Sequence, residues 1–131
     1  MNKLVKTIPK STLYKEFVSS LNGILNLTAK ELHLLTELVR FDMEYVPLPG
    51  EAKNVANSEN RKSLRKTLGV TPDNLSRYLS KFKKEGILVQ GTTEDELTIN
   101  KAIVPDIIGD RIQLIIILKL KDDTNDTDKQ A

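Results

Sequence analysis

The amino-acid sequence predicts an α+β fold, a mainly helical domain that closes with a β-hairpin and carries additional strands at its termini. Three observations lead there. Leucines recur at helical spacing over residues 28–43, two short basic helical patterns lie either side of Gly69, and residues 87–99 read as two strands around a polar turn. With 131 residues and 39% hydrophobic content, the chain can bury one modest core.

At the N-terminus, residues 4–8 alternate as a strand that Pro9 ends. Ser11 is placed to cap a helix carrying Tyr14, Phe17, Val18 and Leu21 on one stripe, until Asn22 and Gly23 break it. Thr28 followed by Glu31 forms a capping box, and Leu32, Leu35, Leu38 and Val39 continue as a buried face to about Met43. His33, the sole histidine, falls opposite that stripe and faces solvent. Residues 47–57 form a connection longer than usual, which marks a functional or mobile element.

Residues 58–69, SENRKSLRKTLG, put Leu64 and Leu68 on one helical face and Arg61, Lys62, Arg65 and Lys66 on the rest. Gly69 ends this helix because glycine accepts the left-handed conformation. The next opens at Thr71-Pro72-Asp73-Asn74, with a capping hydroxyl before a proline whose missing N–H costs nothing there. Leu75, Leu79 and Phe82, with Tyr78 beside them, form its core face; Arg77, Ser80, Lys81 and Lys84 project opposite, with Asn74 near their edge, and Gly86 stops it. Residues 87–90 and 97–99 are strand-like around the turn 91–96. Two helices joined by a short Gly-containing turn fit a helix-turn-helix, whose second helix enters a DNA groove, and the hairpin behind it is a wing.

The stretch RKSLRKTLGVTPDNLSRYLSKFKKEGILVQG resembles the winged helix-turn-helix family, in the style of MarR-like regulators and of winged-helix domains in phage and plasmid replication initiators. The phrase LSRYLSKFKKEGIL is especially like the recognition helix and first wing strand of that family. The resemblance implies a winged helix-turn-helix domain over residues 27–104, after a strand-and-helix extension at 1–26 and before a C-terminal strand at 105–120 and a disordered acidic tail at 121–131. It implies a transcriptional regulator or replication accessory factor of bacterial or phage origin that binds double-stranded DNA. One feature departs from the family: the wing turn Thr92-Thr93-Glu94-Asp95-Glu96 is acidic where many wings carry Arg or Lys.

On such a helix, Arg77 can offer two parallel donors to guanine O6 and N7, Asn74 can pair with adenine by the same two-point logic, and Lys81 can reach a base edge. Ser76, Ser80, Lys83 and Lys84, with Arg61, Lys62, Arg65 and Lys66 of the preceding helix, are placed for phosphate. The net charge is only +2, yet residues 58–86 hold eight basic residues against three acidic ones. The positive field therefore sits on the two helices a DNA backbone would touch.

Residues 111–121 carry Ile112, Leu114, Ile116, Leu118 and Leu120 on one strand face and Ile115 and Ile117 on the other. A strand apolar on both faces needs cover: the N-terminal strand, the helices, or another subunit in a homodimer or larger assembly. The apolar run at 112–118 is far short of the ~20 residues of a membrane span. The N-terminus lacks the apolar run of a secretory signal, and the absence of cysteine removes disulfides and thiolate metal sites, so a cytoplasmic location is expected. No phosphate-cradling glycine loop, nucleophile elbow or metal-ligand spacing is present, so neither cofactor, metal nor enzymatic activity is expected. The rival reading is a structural component of a virion or other assembly that uses the domain as a protein-interaction adaptor.

Overall fold

The computed structural model describes residues 2–46 and 48–123, and its class is α+β: four α-helices and two small antiparallel hairpins. A 3-10 turn at Lys10–Thr12 leads into helix α1 (Leu13–Leu25). Ser11 does not cap it, since no side-chain hydrogen bond closes either N-terminus. Nor do Asn22 and Gly23 break it. An interior glycine costs only about 1 kcal/mol, and α1 packs along its neighbour with Phe17, Val18 and Leu21 buried. The helix ends at Asn26, which adopts the left-handed conformation at φ 55°. Asn22 clamps that exit, its Oδ1 accepting from Leu27 N at 2.7 Å.

Helix α2 (Ala29–Glu44) starts on the expected capping box: Thr28 Oγ1 accepts from Glu31 N at 3.2 Å, and Glu31 Oε1 accepts from Thr28 N at 2.9 Å. It is the scaffold of the domain. Its Leu34, Leu35, Leu38 and Val39 are wholly buried in one core with Val18 of α1, Leu64 and Leu68 of α3 (Ser58–Leu68), and Leu75, Leu79 and Phe82 of α4 (Pro72–Lys84).

Strand β1 (Leu88–Gln90) pairs antiparallel with β2 (Leu97–Ile99), Leu88 opposite Ile99 and Gln90 opposite Leu97. Leu88, Leu97 and Ile99 point into the core while Val89 faces out, the alternation a one-sided hairpin requires. The connection between α2 and α3 takes part in this sheet. Val55 N donates to Leu97 O at 3.0 Å and Leu97 N donates to Lys53 O at 2.9 Å, a single parallel bridge that buries Val55 and Ala56.

A second hairpin, β3 (Ile107–Ile108) with β4 (Arg111–Ile112), turns at Gly109 with φ 61°. Both expected terminal strands differ from the reading of the sequence. Residues 4–8 form no strand, and Leu4 and Val5 stand in solvent. The single C-terminal strand expected over 105–120 is instead folded into this hairpin, Ile107–Ile108 against Arg111–Ile112, and residues 113–120 belong to no strand. The expected disordered tail lies outside the described residues from 124 onward. Among the described residues no helix is long and apolar enough to cross a membrane.

Candidate nucleic-acid interface

The order of elements brings α3 and α4 together through a three-residue turn, Gly69, Val70 and Thr71. Each end of that turn is built locally. Gly69 sits at φ 66° and its N–H donates to Arg65 O at 2.9 Å, so α3 closes with a residue that has no Cβ to strain. Thr71 Oγ1 then accepts from Asn74 N at 3.2 Å, and Pro72 begins α4. At the other end of α3, Asn57 Oδ1 accepts from Asn60 N at 2.8 Å and Asn60 Nδ2 donates to Val55 O at 3.0 Å, tying the helix start to the sheet-forming loop.

Two consecutive residues in the first turn of α2 position both helices. Lys30 Nζ donates to Leu68 O at 3.1 Å, placing a cation on the negative C-terminal end of α3. Glu31, 3% exposed, receives Lys81 Nζ of α4 on Oε2 at 2.5 Å while its other oxygen stays on the cap. The Lys81 ammonium and the Thr28 N–H hold the Glu31 carboxyl below the usual glutamate range, since both favour its charged form. In turn the Glu31 carboxylate raises Lys81 above the ordinary lysine value. Lys81 also lies 3.7 Å from Glu85.

The residues singled out from the sequence therefore separate into two groups. Asn74, Arg77, Ser76, Ser80, Lys83 and Lys84 are all exposed on α4, and Lys62 and Lys66 are exposed on α3, with Arg65 half-buried. Among the described residues, Lys62, Arg65, Lys66, Arg77, Lys83 and Lys84 have no side-chain hydrogen bond or ion pair. Two members of the set are engaged inside the protein. Lys81 is held by Glu31, and Arg61 Nε donates to Ala56 O at 2.7 Å. A base contact from Lys81 requires giving up a hydrogen-bonded ion pair with a buried carboxylate.

Tyr78 is half-buried against the core and His33 is exposed, as their spacing indicates. The acidic turn of the first hairpin is organised by Gln90, whose Nε2 donates to the carbonyls of Thr93, Glu94 and Glu96 at 2.8–3.1 Å. No group of His, Cys, Asp and Glu able to hold a metal occurs among the described residues. Sequence reasoning found Glu31 as a cap and missed the positioning roles of Lys30, Asn60 and Gln90, and of Glu31 toward Lys81; that link, to a residue 50 positions away, carries no local signal.

No family model, curated protein or solved structure matches this chain, so the functional reading rests on the geometry of α3, α4 and the hairpin that follows them.

Proposed function

We propose that this chain is a winged helix-turn-helix protein that binds duplex DNA through α4, acting by stoichiometric binding as a transcriptional regulator or replication accessory factor. One observation carries the reading: six uncommitted cations, Lys62, Arg65, Lys66, Arg77, Lys83 and Lys84, lie on two helices joined by a three-residue turn. Arg77 and Asn74 are the base readers, because both are exposed and neither side chain is held within the protein. Lys62, Arg65, Lys66, Lys83 and Lys84 serve phosphates, with Ser76 and Ser80 as neutral donors and Arg61 reaching out with its remaining guanidinium N–H groups. Lys81 acts as a positioning residue that ties α4 to the start of α2 through Glu31. The acidic, internally tied wing stays off the DNA.

The test is selection from random-sequence duplex DNA by the purified chain at several salt concentrations. About six phosphate contacts give a log-affinity slope near −5 against log salt. A site enriched by the wild type and lost on Arg77→Ala together with Asn74→Ala supports the reading. Absence of binding near physiological salt sinks it and favours the adaptor reading, which the exposed apolar residues of the C-terminal segment support.

A further inference from the structure

Among the thirteen residues of α4 one is acidic, Asp73, and it stands on the side that carries the cations. At about 100° per residue, Asp73, Arg77, Ser80 and Lys84 fall in one row, opposite the buried Leu75, Leu79 and Phe82, and all four are exposed. Lys81, tied to Glu31, marks the flank of that row nearest α2. The outermost line of the helix therefore begins with a carboxylate.

Nothing among the described residues uses that carboxylate. The helix start is closed by Thr71, whose Oγ1 accepts from Asn74 N at 3.2 Å, so Asp73 is not its cap. Arg77 lies four residues on, the spacing at which an acid and a base of one helix pair. Yet neither side chain has an ion pair or hydrogen bond among the described residues. A carboxylate carried toward DNA is repelled by every phosphate it approaches, so on this row it is unfavourable unless it meets a hydrogen-bond donor. In the major groove those donors are the amino groups of cytosine and adenine. Adenine sets its N7 acceptor beside the amino group, whereas cytosine shows the N4 amino group with no acceptor next to it on the same base.

Taking α4 as the helix that enters DNA, on which this assignment rests, we propose that Asp73 is a specificity-determining residue that accepts from the N4 amino group of a cytosine near the guanine read by Arg77. Four residues advance about 6 Å along a helix, close to two steps of ~3.4 Å along a DNA strand, so the cytosine lies within two base pairs of that guanine. The carboxylate acts largely by exclusion. Set against guanine or thymine, whose groove edges offer acceptors, it is left desolvated with no donor.

The test compares wild type with Asp73→Asn and Asp73→Ala, each incubated with random-sequence duplex DNA that is sequenced after retention, with circular dichroism to verify that the helices are kept. Wild type is expected to enrich a site holding a guanine and, within two base pairs, a cytosine. An asparagine amide in the same place pairs with adenine N6 and N7, so Asp73→Asn is expected to replace the cytosine by adenine and keep the guanine. Asp73→Ala is expected to lose about tenfold in preference for cytosine and to bind unrelated duplex more tightly. A charge that serves only the α4 dipole predicts tighter binding to every sequence with the enriched site unaltered, and that result overturns the assignment while DNA binding stands. A guanine preference lost together with the cytosine overturns it as well, because Asp73 then orients Arg77 instead of reading a base. Retention by wild type without enrichment has the same force. A wild type that retains no duplex near physiological salt overturns the reading of α4 itself, and the assignment with it.

Discussion

Glu31 closes the cap of α2 with one oxygen and holds α4 with the other, so substitutions there separate two effects that meet in a single buried carboxylate. Glu31→Gln keeps a carbonyl oxygen for the Thr28 N–H and loses the charge facing Lys81. Glu31→Ala loses both. Loss of a reciprocal cap costs about 1 kcal/mol, which for a domain of this size lowers the melting temperature by roughly 3–6 °C. Glu31→Ala is therefore expected to melt that far below Glu31→Gln at neutral pH, measured by calorimetry under matched conditions. The charge enters through pH. Glu31 titrates lower in the folded state than in the unfolded chain, so its contribution is complete above the unfolded value near ~4.3 and is lost as pH falls through the folded value. The stability gap between wild type and Glu31→Gln should hold from neutral pH to about 5 and close as acid protonates the carboxyl. A gap that is flat down to pH ~3, or Ala and Gln variants that melt together, refutes the double role.

Other consequences can be checked independently. Gly69→Ala forces a Cβ into a left-handed residue at φ 66° and is expected to cost about 1 kcal/mol in denaturant titration, although open space surrounds the site. Phe82→Ala empties a wholly buried position where α4 meets the core and should cost about 3–5 kcal/mol, enough to unfold much of the population by urea titration at modest denaturant. A loss below ~1 kcal/mol there would contradict the packing. Replacing Lys62 and Lys66 with alanine should leave the melting temperature unchanged and, on the proposed DNA-binding reading, reduce the steepness of the salt dependence of binding by about 2. Unchanged steepness would remove both lysines from the phosphate contacts.

Helix placement was legible from the sequence wherever a boundary is made by near neighbours. Thr28 with Glu31, Gly69, and Thr71 before Pro72 each satisfy backbone groups within five residues, so reading those residues reads the boundary. The hairpin at residues 88–99 is equally local, its strands separated by one turn. Asn22 and Gly23 misled for the opposite reason: a weak local breaker is overridden when packing on α2 offsets its cost, and that packing is not written near residue 23. The terminal strands failed similarly, since alternation states what a strand would bury but not whether an edge exists to pair it.

For the candidate interface, the sequence by itself determined which side chains are basic, that Leu64, Leu68, Leu75, Leu79 and Phe82 turn inward, and that a short turn joins the two helices. Composition and period suffice for that, because a helix of fixed pitch sorts its residues by face. Only the tertiary structure decided which cations remain uncommitted. Lys81 and Arg77 carry the same charge one helical turn apart, yet one meets a carboxylate 50 positions away and the other stands exposed with no side-chain partner among the described residues. Such pairings depend on how helices distant in sequence cross, and that angle is set by the shared core.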